Sequence, residues 1–185
     1  MLASGLAVGA FAQSPAPVAK VAVVTFQAAL AQTNEGQRAF ADLQKKFAPK
    51  RDELKVQVDE IATLTKQLQA DGAKLTDGER ASRTKTLEDK KKKATRFGED
   101  AQKEFEGAMQ EMTSSLAAKV YDVLTAYAVQ QGYTLVLDLS EQQSPVIYAG
   151  STTDITKALV DAYNAKSGVP PMPAMQAPAK APAAK

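Results

Sequence analysis

Residues 40–75 read FADLQKKFAPKRDELKVQVDEIATLTKQLQADGAKL, and the spacing of their apolar side chains decides the fold. Phe40, Phe47, Leu54, Ile61, Leu68 and Leu75 recur every seven residues, the period of a helix that keeps one face against a partner helix. The companion positions Leu43, Lys50, Gln57, Leu64 and Asp71 are apolar only in part, so the pattern predicts an imperfect coiled coil with one strong seam. A helix on a globular surface rarely holds a single phase for so long. The partner comes from the same chain. Asp71-Gly72 and Asp77-Gly78 are turn dipeptides, and Thr76 followed by Glu79 is a capping-box pattern that starts a new helix.

A bend at 72–76 folds the chain back so that facing residues have numbers summing to about 151. Leu54 then faces Phe97, Phe47 faces Phe105 and Phe40 faces Met112. The returning helix carries one continuous stripe through Phe105, Met109, Met112, Leu116, Val120, Val123 and Tyr127 and stops at Gly132. At 1.5 Å per residue the second arm is roughly 80 Å long, so the hairpin projects from any small body. Pro49, Gly98 and Gly107 interrupt the arms with residues that weaken helices, and they are read as bending points.

The flanks supply that body. Lys20–Thr25 (KVAVVT) is a short β-branched run, Tyr133–Leu139 (YTLVLDL) places Leu135, Leu137 and Leu139 on one face, and Val146–Ala149 (VIYA) reads as a third strand. Thr153 or Asp154 caps a last helix through Ile155, Leu159, Val160 and Tyr163. The predicted class is α+β, mainly α, with body segments 20–34 and 117–166 and a hairpin arm over 35–116. Three short strands neither close a barrel nor hide their edges. Assembly with identical copies solves both problems, and the side chains expected in that assembly are Val21, Val23, Leu135, Leu137, Val146 and Ile147.

Both termini read as separable. Residues 1–12 are uncharged and end in Ala10-Phe11-Ala12, the small-x-small pattern that precedes a signal peptidase cut. Residues 13–19, with Pro15 and Pro17, form a linker, and 167–185, with five prolines among Ala and Lys, form a solvated tail. The chain has no Cys, His or Trp. That excludes a Ser-His-Asp triad, a thiol nucleophile, a thiolate or imidazole metal site and a disulfide framework. Any acid/base chemistry falls to carboxylates, Lys or Tyr. Asp138 and Glu141 have no second group that sequence positions beside them, so the chain is not read as an enzyme.

The opening KVAVVTFQAALAQT, the charged hairpin and the closing GYTLVLDL and VIYAGSTTDITKALVDAYN, in that order, resemble the Skp/OmpH family of periplasmic chaperones. The resemblance covers about Lys20–Lys166. It implies a homotrimer in which three chains join their strands in an intersubunit β-barrel body. The hairpins hang as tentacles around a cavity that holds unfolded outer-membrane β-barrel proteins without ATP. It implies a periplasmic location and no cofactor, metal or nucleic acid.

Two residue sets on the arm are candidate sites. Nine basic residues against four acidic ones give 74–96 a net +5. Arg80, Arg83, Lys85, Lys90, Lys91, Lys92, Lys93 and Arg96 are read either as a patch for anionic lipid or lipopolysaccharide or as a solvated helix face. Phe97, Phe105, Met109 and Met112 are read either as the seam between the arms or as a client-binding stripe. An alternative function is a basic coiled-coil envelope protein that binds anionic lipid or serves as a structural adaptor.

Overall fold

A computed structural model describes residues 19–141, 144 and 146–173. The signal peptide read at 1–12, all but Ala19 of the linker and the tail beyond Pro173 lie outside the described residues. The elements run β1 (Val21–Val24), α1 (Phe26–Gln32), α2 (Asn34–Asp71), α3 (Asp77–Gln131), β2 (Leu135–Asp138), a 3-10 turn (Ser151–Thr153) and α4 (Thr156–Ser167).

The body is built where the two ends of this order meet. β1 and β2 pair in parallel, Val21 opposite Leu135 and Val24 opposite Asp138. The ladder is extended by Thr134 N–H to Lys20 O at 2.8 Å and Leu139 N–H to Val24 O at 2.7 Å. Val23 also accepts from Ile155 N–H at 2.9 Å and bridges Asp154, so β1 lies between β2 and the approach to α4. Because side chains alternate along a strand, Ala22, Val24 and Val136 face one side. There Ala22 and Val24 are buried with Leu30, Leu116, Val120 and Leu159, and Val136 packs against them half-buried.

The other face carries Val21, Val23, Leu135 and Leu137. Val23 is buried, but Val21 and Leu135 are 38% and 49% exposed. The leucine face of β2 is therefore turned away from the core of this chain. Val146–Ala149 forms no strand, contrary to the expectation from its β-branched run, and Ile147 and Tyr148 stand in the open. A strand needs a ladder partner, and among the described residues this segment has none. Trimer and barrel are arrangements between chains, which a single chain does not display.

The hairpin follows from its sequence more directly. Thr76 Oγ1 accepts from Glu79 N–H at 3.3 Å while Glu79 Oε2 accepts from Thr76 N–H at 2.9 Å, closing a capping box that starts α3. Arg80 donates across the turn to Gly72 O. At the far end Gly132 takes φ +72°, a left-handed conformation that stops the helix at little cost without a Cβ. Large residues of α2 meet smaller or aromatic ones of α3. Phe47 and Phe105 sit edge to face with centroids 5.3 Å apart, and Leu54 packs over Gly98, whose missing Cβ would lie 3.4 Å from Leu54 Cδ2. α2 and α3 run through Pro49 and Gly98 without a break. Gly98 serves close approach of the arms.

A tight corner sets the arm on the body. Thr33 is fully buried, donates to Leu30 O at 2.8 Å and accepts from Gly36 N–H at 3.0 Å, ending α1 and capping α2 in one residue. A methyl on Gly36 would lie 2.2 Å from Leu30 O and 3.1 Å from Leu116 Cδ2, whereas one on Gly107 would meet nothing within 4 Å. Gly36→Ala should therefore cost about 1–3 kcal/mol by overpacking. Gly107→Ala should gain up to about 1 kcal/mol from helix propensity. Denaturant unfolding followed by helical circular dichroism, at one protein concentration, checks the opposite signs; equal effects would contradict the corner geometry.

Candidate functional site

Where the arms leave the body lies an apolar groove of about 520 Å³. Leu30 and Phe40 line it from α1 and α2, and Met109, Met112 and Leu116 from α3. Phe40, at a seam position, lines the groove and is 41% exposed. Unbranched Met side chains suit such a groove, since three rotatable bonds and a polarisable sulfur adapt to differently shaped neighbours.

The four residues read as a client-binding stripe thus fall into two places. Met109 and Met112 line the groove. Phe105 is spent on the seam with Phe47, and Phe97 lies half-buried nearer the tip. Missing from the sequence reading were Leu30 and Met172 as lining residues. Met172 is the one large side chain in the run VPPMP, which was the available signal.

The tail itself is a second departure. It was read as solvated from residue 167 onward, but Val169–Met172 lies along α2. Asn34 Nδ2 donates to Val169 O at 2.7 Å, and Arg38 donates through Nε to Pro170 O at 2.9 Å and through Nη2 to Pro171 O at 3.3 Å.

Some of the basic residues are paired and others are not. Lys90 pairs with Glu60 at 2.7 Å, Lys91 with Glu88 at 3.1 Å and Arg83 with Asp71 at 3.9 Å, while Arg80 is on Gly72 O. Among the described residues Lys85, Lys92, Lys93 and Arg96 make no ion pair. At about 100° per residue, Lys90–Lys93 wraps most of the way around the helix. In the body, Val146 and Leu137 are half-buried and Ile147 is exposed.

Two carboxylates hold the region together. Glu35, in the first turn of α2, takes Lys119 Nζ at 2.7 Å on one oxygen and Tyr163 O–H at 2.6 Å on the other, tying α2 to α3 and α4. The hydrogen bonds from Lys119 and Tyr163 hold its carboxyl below the usual range, and burial followed by Glu35 pushes the Tyr163 phenol up. Burial alone would raise Asp138, but bonds from Ser140 Oγ and the N–H groups of Phe26, Ser140 and Leu139 outweigh it and leave the carboxyl lowered. Asp138 thereby caps α1, whose own N-cap Thr25 makes no side-chain cap bond. Among the described residues no group of three or more Asp or Glu is placed to hold a metal.

A family model described as Outer membrane protein (OmpH-like) matches residues 20–163. No curated protein matches the chain. Among solved structures, a protein described as an OmpH-like outer membrane chaperone from Caulobacter crescentus superposes with a TM-score of 0.63 at 23% identity. The match covers 83% of this chain and 88% of that one. At that identity the likeness is one of fold. No helix among the described residues is long and apolar enough to cross a membrane.

Glu35 makes the corner acid-sensitive in a defined direction. Its carboxyl is lower in the folded chain than in the unfolded one, so its contribution is full above the ordinary value of 4.5 and is lost as pH falls through the lower folded value. Glu35→Gln should cost about 1 kcal/mol at pH 7, and the difference from the parent should shrink as pH drops below the carboxylate range. Parallel unfolding curves from pH 7 to 3 test this; a penalty independent of pH would contradict it.

Proposed function

The chain belongs to the OmpH-like family, and on that premise we propose that it is a non-enzymatic, ATP-independent holdase of the periplasm that keeps unfolded outer-membrane β-barrel proteins from aggregating. The observation that carries the reading is the apolar groove at the root of the hairpin, lined by Phe40, Met109, Met112 and Leu116. A holdase needs weak, adaptable apolar contacts to an extended chain, and methionines beside a half-exposed aromatic ring offer them. The small-x-small run Ala10-Phe11-Ala12, read as an export signal, supports the location.

The working form is a homotrimer with a shared β body. In its support, Val21, Leu135 and Ile147 expose β-branched or leucine side chains on one small sheet and the loop that follows it, and an uncovered sheet face with open edges calls for a partner. Met109 and Met112 contact the client, while Phe97 and Phe105 support the arms. A second role for the arm, contact with anionic lipid or lipopolysaccharide, is favoured by Lys85, Lys92, Lys93 and Arg96, which have no ion-pair partner among the described residues.

Light scattering of a urea-diluted outer-membrane barrel protein should be suppressed by the native chain without ATP. Leu135→Lys should leave the helical signal intact, because Leu135 is half exposed in the single chain, yet shift sedimentation equilibrium from trimer to monomer and weaken holding. An unchanged mass for this variant would remove the assembly from the proposal. Replacing Lys90–Lys93 with Gln should lower binding to anionic vesicles at low salt, each exposed charge near such a surface being worth about 1 kcal/mol. Vesicle binding that matches the parent at every salt concentration would make the run a solvated face.

A further inference from the structure

Met172 of the chain's own tail lines the groove, and we propose that Val169–Met172 is a built-in pseudo-client. It lies where an extended peptide would be held and must leave before a client segment enters. α4 ends at Gly168, which takes φ +65° and turns the chain back over α2. Three successive carbonyls, of Val169, Pro170 and Pro171, accept from Asn34 and Arg38. The strap then sets Met172, half-buried, on the wall of the groove with Phe40, Met109 and Met112.

The chemistry of this contact defines the ligand class. Asn34 and Arg38 read backbone carbonyls, which every extended segment presents, and they ask nothing of the side chains at those positions. Pro170 and Pro171 have no N–H to leave unpaired and hold the backbone extended at low entropic cost. One position is selective, the pocket that takes Met172, which suits an unbranched apolar side chain. The site therefore takes an extended peptide with one such side chain, placed just after the carbonyls held by Asn34 and Arg38.

The strap is tethered directly to α4, so its effective concentration at the groove is on the order of millimolar. A weak intrinsic contact suffices to fill the site in cis. An added segment sees an apparent affinity reduced by the fraction of time the strap is seated. Unfolded clients offer many such segments on one chain and displace it by their number.

The control of client capture rests on the holdase reading; occupancy of the groove does not, and the test separates them. The probe is the fluorescein-labelled peptide GVPPMPA, which repeats residues 168–174, followed by anisotropy. Met172→Ser in the full chain should bind it at least fivefold more tightly than the parent. Arg38→Ala in that background should lose the gain, and a peptide with Ser for Met should bind neither. Equal binding to parent and Met172→Ser, or to both peptides, overturns the proposal.

A reversible arm covers a failure of that variant to fold. The chain has no Cys, so Gln44→Cys with Met172→Cys places the only two thiols on residues that both line the groove. Bridging them with a disulfide-containing bis-maleimide should lock the strap and abolish peptide binding, and reduction of the linker should restore it. Peptide binding indifferent to the bridge also overturns the proposal. The locked and reduced forms are then compared in client light scattering. Equal, effective holding overturns the control of capture. Failure of both forms to hold any client refutes the holdase reading, with groove occupancy still decided by the peptide.

Discussion

The parallel pairing of Val21–Val24 with Leu135–Asp138 is the contact on which the rest depends. It joins the two ends of the excursion that makes the arm, so forming it closes a very long loop, whose entropic cost grows only slowly with length. Once it is formed, α2 and α3 must leave and return at one place. Their apolar faces are then held in register from the root outward, from Phe47 on Phe105 to Leu54 over Gly98. The same pairing places Asp138 at the start of α1, where it caps a helix whose preceding threonine does not. Sheet, helix start and hairpin root are thus one unit.

The hairpin has little of its own to anchor it. Its cross-arm ion pairs are half exposed, Lys90 with Glu60 and Lys50 with Glu104, and pairs of that kind are worth at most about 1 kcal/mol each. Burial is concentrated at Leu43, Phe47, Leu87 and Ala94. An arm held mainly by a narrow apolar seam can flex along its length without unfolding. The apolar groove lies beside the body, where α1 adds Leu30 to the wall. Such a groove costs less there than at mid-arm, because Thr33 and the buried cluster beneath it hold both helices in place.

That corner also connects folding to function. Asn34 and Arg38 hold the strap from the same turns of α2 whose Glu35 binds Lys119 and Tyr163. A change that loosens the corner therefore reaches the groove. Membership of the OmpH-like family gives the groove its context. The contact between strap and groove is made by Arg38 and Met172.

Much of the arm was legible in the sequence, because helical phase and capping are local properties. The seven-residue recurrence from Phe40 to Leu75 marked the seam, the near-constant sum of facing residue numbers brought Phe47 to Phe105, and Thr76 with Glu79 marked the start of α3. Composition alone removed His and Cys chemistry. The body was less legible. Val146–Ala149 has the composition of a strand and is not one, because a ladder needs a neighbour that the segment's own sequence cannot supply. The leucines of β2 announced an apolar face, but which way that face turned depended on Val136 meeting the core. Asp138 over α1, Glu35 between Lys119 and Tyr163, and Met172 in the groove each join residues far apart in the chain. Periodicity is carried by neighbours along a helix and is written in the sequence; the closure of distant hydrogen bonds and the filling of a cavity are set only when the folded backbone brings those atoms together.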